Sequence, residues 1–386
     1  MRKSQRGNRV LRVIDLIVGV PLVVALAVTR SQPKRPTAPK TIGIMVLGAL
    51  GDVLLASSVL GAVREAFPKS RILVFCSSSN RPAFDLIVGF DHLIEISLSN
   101  PLRAILQVRN EPLDCLIDTS QWSRFGAILS ALSSATYTIG FQTQGQNRHF
   151  AYDARVPHHA NRHEIENFRA LGEPLGLSVK VLPSLNLAVI EGYVFDPQEP
   201  LFVVFHPWAS GTNAGMREWP LDHWTNLAIT VIQSGYEVVL SSGPEDQTKS
   251  SQLVKFMSMR FPEFGELIAL KVRIVQGKSL VQTAAILHRA AAIVSVNTGI
   301  MHLAALLDRP LVALHGPTNP MRWGPQYPDM HFAIPPAVLA VPAEEGGAFL
   351  NLGFEYGRNH QYMMQRISVM QVIEALRRLR IPIQSV

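Results

Sequence analysis

From Lys40 onward the chain alternates short apolar runs with longer helical patterns, and it does so twice. In the first pass TIGIMVL (41–47) reads as a strand, GALGD as a loop, and VLLASSVLGAVREAF (53–67) as a helix stopped by Pro68. RILVFCS, HLIEIS, DCLIDT and TYTIGF follow as strand-like runs with helical stretches between them. After a His/Arg-rich stretch at 147–176, the pattern restarts at LFVVFHP (201–207) and continues through LDHWTNLAITVIQSG, YEVVLSS, SLVQTAAILHRA, AAIVSV, MHLAALL and LVALHG. Strands alternating with helices build a parallel sheet covered on both faces. Two such passes predict an α/β domain over 41–190 and a second over 191–386, the latter closing with an amphipathic helix at 367–380. At 47% hydrophobic and 17% charged residues, 386 positions can build two real cores. Residues 337–365 are Gly-rich and read as irregular. Open α/β sheets bind ligands beyond the carboxyl ends of their strands. Two facing sheets of this kind would therefore line a cleft with those loops.

Residues 1–40 are a separate case. They carry nine Lys/Arg (Arg2, Lys3, Arg6, Arg9, Arg12, Arg30, Lys34, Arg35, Lys40) and one acid, Asp15, for a net charge of +8. The whole chain has +7, which leaves −1 for the other 346 residues. A nucleic-acid-binding fold would carry its positive charge on the folded surface, so that class is disfavoured. Between the basic groups lies LIVGVPLVVALAV (16–28), uncharged and followed by the Pro-rich linker SQPKRPTAPK. Thirteen residues make about 20 Å of helix, short of the roughly 30 Å hydrocarbon core. Reaching back to Val10 admits Arg12 and Asp15. A signal peptide fits the basic start and the Ala25-Leu26-Ala27 pattern. A segment lying in the interface of an anionic membrane fits the charge best. Cys76 and Cys115 sit in apolar runs and make neither a disulfide framework nor a zinc spacing.

Four loops after strand-like runs carry polar chemistry. In GALGD, Gly48 and Gly51 permit a sharp turn and Asp52 stands at the mouth of a helix. It is either a helix cap or a general base facing a cleft. The loop lacks the lysine of a P-loop and the third glycine of a dinucleotide fingerprint. HPWASGTNAGMREWP (206–220) is rich in small hydrogen-bonding residues, Ser210 among them, and ends in Arg217. Backbone amides with one guanidinium suit a diphosphate, although an exposed loop with an arginine at its rim looks the same. Glu245 in SSGPEDQ is either an acceptor for ribose hydroxyls or a solvated surface acid. In IVSVNTGIMH (293–302), Asn297-Thr298-Gly299 opens a helix whose free amides favour an anion, with His302 in the first turn. Thr318 and Asn319 follow at another strand end.

Taken in order, GALGDVLLASSVLGAVREAFP, HPWAS with REWPLDHW, GPEDQ, and VNTGIMHLAALLDRPLVALHGPTNPMRWGP resemble the heptosyltransferases of lipopolysaccharide synthesis, glycosyltransferase family 9. The resemblance runs from about Thr41 to about Gly324. It implies two Rossmann-like α/β domains facing across a cleft, the architecture called GT-B, and an inverting, metal-independent transfer. It further implies that Asp52 is the catalytic base, that Arg217 contacts the donor phosphate where lysine is frequent, and that Glu245 lies near the nucleoside. Thr298, Gly299 and His302 match the donor phosphate loop. Asn297 stands where the family usually has aspartate, which bears on donor recognition. Trp208 occupies a position that is commonly glycine, which would crowd the site. No Asp-x-Asp pair occurs, in keeping with protein groups rather than a metal at the leaving diphosphate.

The expected activity is transfer of a sugar, heptose from ADP-heptose, onto a lipid-linked saccharide such as the lipopolysaccharide inner core, at the cytoplasmic face of the inner membrane. The expected partners are a nucleotide sugar, the lipid-linked acceptor and the membrane surface; no cofactor and no nucleic acid is expected. Arg124, Arg148, Arg162 and His163 are candidates for meeting acidic groups of the acceptor. An epimerase or transferase using another nucleotide sugar, and a non-catalytic nucleotide-sugar-binding protein tethered to a membrane, are the competing readings.

Overall fold

Thr41–Val46 (β1) has every residue after the first buried, and the first sheet is built outward from it. The other strands of that sheet are β2 (Arg71–Ser77), β3 (His92–Ile96), β4 (Cys115–Asp118), β5 (Tyr137–Gln142) and β6 (Ala154–Pro157). All pair in parallel, in the order β3-β2-β1-β4-β5-β6. The second sheet holds β7 (Phe202–His206), β8 (Glu237–Ser241), β9 (Val272–Val275), β10 (Ala292–Val296), β11 (Leu311–His315) and β12 (Ala337–Ala340), in the parallel order β12-β11-β10-β7-β8-β9. Counted from each sheet's own first strand, the two orders are the same doubly wound order. The winding reverses between β1 and β4 in one sheet and between β7 and β10 in the other, and such points are where ligands bind. The computed structural model describes residues 9–28, 33–177, 180–193, 199–211, 214–345, 360 and 362–384. The chain divides into two units, Met1–Leu185 and Asn186–Val386.

The central strands are buried on both faces and read as continuous apolar runs, as parallel strands should. Three edge strands escaped the sequence reading. β6 (ARVP), β9 (VRIV) and β12 (AVLA) are four residues each and mostly half-buried or exposed, so they carry little apolar signal. β6 lies inside the His/Arg-rich stretch, and β12 opens the stretch read as irregular. Of the rest of that stretch, residues 346–359 and 361 lie outside the described residues.

In unit 2 the last helix, Val369–Arg378, is started by a capping box of Ser368 and Gln371 and buries Val372, Ile373 and Leu376 in the main core. Trp219 and Trp224 pack edge-on in the same core at 5.0 Å, and the Trp219 indole donates to the Ile367 carbonyl at 2.8 Å. Both cysteines are buried and free, and burial pushes the Cys76 thiol up to about 12, so it is not a reactive thiolate.

The N-terminal helices Arg9–Ile17 and Gly19–Val28 belong to unit 1 and pack against the rest of it, where Val23 is fully buried. No helix among the described residues is long and apolar enough to cross a membrane.

Candidate functional site

The loop after β1 leads into the helix Leu50–Ala66, three residues earlier than its sequence pattern indicates. Asp52 is therefore inside the first turn, at its third position, and the cap position belongs to Ala49. Its Oδ2 reaches back and accepts the Ala49 N–H at 2.5 Å. The carboxylate thus does half the work of a capping box, and it is half-buried rather than sealed. Gly48 is required here by close approach: a Cβ on it would sit 2.8 Å from the Asp52 Cβ and Cγ. Asn80, which no motif flagged, is 1% exposed and holds the loop from the other side. Its amide donates to the carbonyls of Val46 and Gly48, both at 2.9 Å, while its oxygen accepts from Ser77 N–H at 2.9 Å. The loop carrying Asp52 is therefore braced on both flanks. Gly51 is buried in the helix's first turn.

β4 ends beside β1, with Met45 opposite Asp118. Asp118 is fully buried and bound by Arg148 Nη2 at 2.7 Å and by the Tyr152 hydroxyl at 2.6 Å. Arg148 is itself fully buried, so it does not present a charge to an acceptor at the surface. Arg124 is 5% exposed and is paired with Asp15 of the N-terminal segment at 3.0 Å. His163 is buried and caps the helix Glu164–Ala170 by accepting the Ile165 N–H at 3.2 Å. Of the four acceptor-side candidates only Arg162 is exposed. The other three are already engaged, Arg124 and Arg148 with carboxylates and His163 at a helix start, and composition cannot separate such a requirement from ligand binding.

In unit 2 the expected donor residues fall on the loops of neighbouring strands. Ser295 of β10 is opposite His206 of β7, and Phe205 of β7 is opposite Leu240 of β8. The loops carrying Asn297-Thr298, Ser210 and Glu245 therefore leave one edge of the sheet side by side. Thr298 is the N-cap residue of the helix Gly299–Leu306, yet its hydroxyl makes no capping bond and is buried with no hydrogen-bond partner among the described residues. A buried hydroxyl of this kind costs stability unless something fills its valence. The free first-turn amides beside it favour an anion.

His302 is 3% exposed. Its Nδ1 lies 2.9 Å from the Tyr327 hydroxyl, and the two rings are stacked at 5.9 Å with an interplanar angle of 17°. Burial holds the Tyr327 phenol well above its usual range, so it stays protonated. Tyr327 lies in a stretch without a recognisable motif, and only the fold brings it to His302. Asn297 is likewise tied: its amide lies 3.1 Å from His315 Nδ1 and donates toward the Trp323 carbonyl at 3.4 Å.

The loop after β7 is closed by Glu218, whose Oε1 accepts from Ala209 N–H at 3.1 Å and from Lys249 Nζ at 2.8 Å. Arg217 donates through Nη2 to the Ser210 carbonyl, while its Nε has no partner among the described residues. Thr212 and Asn213 of this loop lie outside the described residues. Trp208 is 5% exposed, its indole N–H donates to Ser250 Oγ at 2.8 Å, and Lys249 lies over its ring at 5.4 Å. The ring is packed into the core, and with Glu218, Trp219, Lys249 and Met364 it walls a cavity of ≈ 370 Å³. Glu245 is exposed on the β8 loop. Ser210 and Arg217 are bonded to one another, and Glu245, Asn297 and His302 share the edge with them. His206, at the end of β7, lies 3.3 Å from Ser241 Oγ, and burial drives its pKa down to about 4, so it is neutral at pH 7. Among the described residues no cluster of His, Cys, Asp or Glu has the make-up of a metal centre.

The sequence profile of glycosyltransferase family 9 (heptosyltransferase) matches residues 102–333. The lipopolysaccharide heptosyltransferase 2 of Escherichia coli K12 is 34% identical over 302 residues, covering 72% of this chain and 83% of that protein. Among solved structures, the E. coli ADP-heptose lipopolysaccharide heptosyltransferase II superposes with a TM-score of 0.67 at 20% identity, over 88% of this chain and 98% of that one. The E. coli heptosyltransferase WaaC with ADP superposes with a TM-score of 0.65 at 17% identity, over 88% and 99%. These likenesses carry the GT-B fold. With a profile matching well over half of its length and a relative at this identity, the chain belongs to glycosyltransferase family 9, the heptosyltransferases.

Proposed function

We propose that this glycosyltransferase moves a heptose from ADP-heptose to a saccharide acceptor of the lipopolysaccharide inner core, with inversion at the anomeric carbon and without a metal, at the cytoplasmic face of a membrane. The related E. coli proteins are named for ADP-heptose and for lipopolysaccharide, which supports the donor and the kind of acceptor. The observation that carries the donor half is the buried, unpartnered Thr298 hydroxyl at the mouth of the helix Gly299–Leu306. An unfilled donor beside free helix amides is what a diphosphate oxygen would satisfy. Arg217, with its free Nε, adds the guanidinium that pairs with phosphate.

In this reading Asp52 takes the proton of the acceptor hydroxyl. The oxygen attacks the anomeric carbon on the face opposite the diphosphate, and the bond from that carbon to the leaving phosphate oxygen breaks. Arg217, His302 and the amides around Thr298 and Gly299 take up the charge that develops on ADP. Glu245 accepts from the ribose hydroxyls, and Ser210 and Asn297 border the donor. The acidic, lipid-linked acceptor is the partner of unit 1, and residues 1–40 bring the enzyme to the membrane.

Purified full-length protein offered a panel of nucleotide sugars tests this reading. Turnover of ADP-heptose with a heptosyl product of inverted anomeric configuration, unchanged by a chelator, is expected. Preference for another nucleotide or sugar, retention of configuration, or loss of activity with chelator would each overturn its own part.

A further inference from the structure

The N-terminal helices present two different faces. Val18 N–H bonds the Ile14 carbonyl at 2.9 Å and Leu22 N–H bonds the Val18 carbonyl at 3.2 Å, so the helical path runs almost unbroken from Arg9 to Val28. Asp15, Gly19 and Val23 are spaced by four and form one stripe, and that stripe is the docked face. Asp15 Oδ1 accepts the N–H groups of Arg124 at 2.9 Å and Phe125 at 3.2 Å, the first two amides of the helix Arg124–Leu132. Its Oδ2 pairs with Arg124 Nη1 at 3.0 Å. Asp15 is thus a helix cap delivered from another part of the chain, together with Ser123. A Cβ on Gly19 would stand 3.0 Å from the Arg124 Cβ, so glycine lets the two helices approach. Val23 is fully buried with Ala127, Ala151 and Tyr152.

The end of the linker is held as well. Lys40 N–H donates to Asp114 Oδ2 at 2.6 Å, and Ser70 Oγ donates to the Pro39 carbonyl at 2.5 Å.

The opposite face is apolar and exposed among the described residues. Val13, Ile14, Ile17, Val24 and Val28 point away from unit 1, with Ile17 66% and Val28 84% exposed. Leaving five large aliphatic side chains exposed to water is unfavourable, and a contiguous apolar face of this kind marks an interaction surface. The basic residues Arg2, Lys3, Arg6, Arg9 and Arg12 precede the apolar run, and Arg30, Lys34, Arg35 and Lys40 follow it. A partner that is apolar in depth and negative at its surface complements this arrangement, and an anionic bilayer is that partner. A spanning pose would drag Asp15 away from Arg124 into hydrocarbon.

We infer that Arg9–Val28 is a docked, interface-lying cap of unit 1, whose outward apolar face sits in the headgroup region of an anionic bilayer and fixes the orientation of unit 1 on the membrane. The inference rests on the proposed membrane-side function and deepens it. Asp15 meets the helix that follows β4, at the carboxyl edge of the unit 1 sheet. That is the edge bearing Asp52, so the docking holds the acceptor-side edge next to the lipid from which a lipid-linked acceptor rises.

The test uses full-length protein and sedimentation with vesicles of phosphatidylglycerol or of phosphatidylcholine. The parent is expected to bind phosphatidylglycerol vesicles at least tenfold more tightly than phosphatidylcholine. A triple variant on the outward face, Ile14→Asp, Ile17→Asp and Val24→Asp, is expected to lose tenfold or more of that binding with an unchanged melting temperature. Asp15→Ala is expected to lower the melting temperature while vesicle binding survives below it. Ile17→Trp is expected to be quenched by lipids brominated near the headgroup and not by lipids brominated at the chain ends. Equal binding of parent and triple variant, equal binding to both lipids, quenching from the bilayer centre, or a parent that is dimeric where the triple variant is monomeric would each overturn the inference. Heptosyl transfer to a water-soluble core oligosaccharide is measured alongside. If vesicle binding behaves otherwise than expected while transfer persists, the inference fails and the function stands; if transfer is absent while binding behaves as expected, the function fails.

Discussion

His302 Nδ1 lies 2.9 Å from the hydroxyl of Tyr327, and the two side chains are buried in a stacked pair at the mouth of the helix Gly299–Leu306. The contact gives the imidazole a fixed partner in the absence of a ligand. Tyr327→Phe keeps the ring and removes the hydroxyl. A net hydrogen bond is worth about 0.5–1.5 kcal/mol, so donor affinity should fall roughly two- to tenfold. Calorimetric titration with ADP checks this, and an unaltered affinity would mean that the hydroxyl does not organise the site.

Thr298→Val separates the ligand role of the hydroxyl from a structural one. The hydroxyl has no partner among the described residues, so replacing it with a methyl should leave the melting temperature unchanged or raise it slightly. ADP affinity should nevertheless drop by about 1 kcal/mol, and Arg217→Ala should cost roughly 1.5–3 kcal/mol as a lost charge-assisted bond. If both variants bind ADP like the parent, the proposed cradle is in the wrong place.

Asn297 is bonded toward His315 and the Trp323 carbonyl. Asn297→Asp is isosteric and introduces the residue that the family resemblance leads one to expect there. The fold should survive, and preference among nucleotide sugars should shift. A competition assay across donors that returned identical profiles for the two proteins would remove Asn297 from donor recognition.

Asp52→Asn asks whether the carboxylate is a base or only a brace. An amide oxygen can still accept the Ala49 N–H, so the loss of stability should be confined to the charge at the helix start, about 0.3–1 kcal/mol. Turnover should fall by roughly 10²–10⁴, the usual contribution of a positioned proton acceptor. ADP binding should be retained, since the proposed donor residues belong to unit 2. Near-normal turnover in a well-folded variant would leave Asp52 as a brace for its loop.

His206 makes the stability of unit 2 depend on pH. Its pKa is lowered by burial to about 4, below the ordinary value near 6.5. The unfolded chain therefore takes up the proton first as pH falls. The stabilisation is fully present above about 6.5 and is lost progressively down to about 4, with a total on the order of 3 kcal/mol. His206→Asn should flatten the fall in melting temperature across that window. A parallel fall in parent and variant would show that other groups dominate.

The sequence by itself determined the two doubly wound halves. Central parallel strands are buried on both faces and must be apolar throughout, so β1, β2, β4, β7, β8, β10 and β11 are legible as runs. It also determined the order of the loops that follow them, and with that the family. Tertiary structure decided the rest. β6, β9 and β12 are short edge strands, half in water, and leave no periodic mark. Arg124, Arg148 and His163 look like surface cations in the sequence and are in fact committed to Asp15, Asp118 and a helix start. Tyr327 and Asn80 lie outside every motif, because a side chain that positions another is defined by a contact in space. Asp15 shows the same limit most sharply. In sequence it is a charge that spoils an apolar run, and its purpose is set by Arg124, 109 residues away, since an ion pair's energy depends on distance through space and not along the chain.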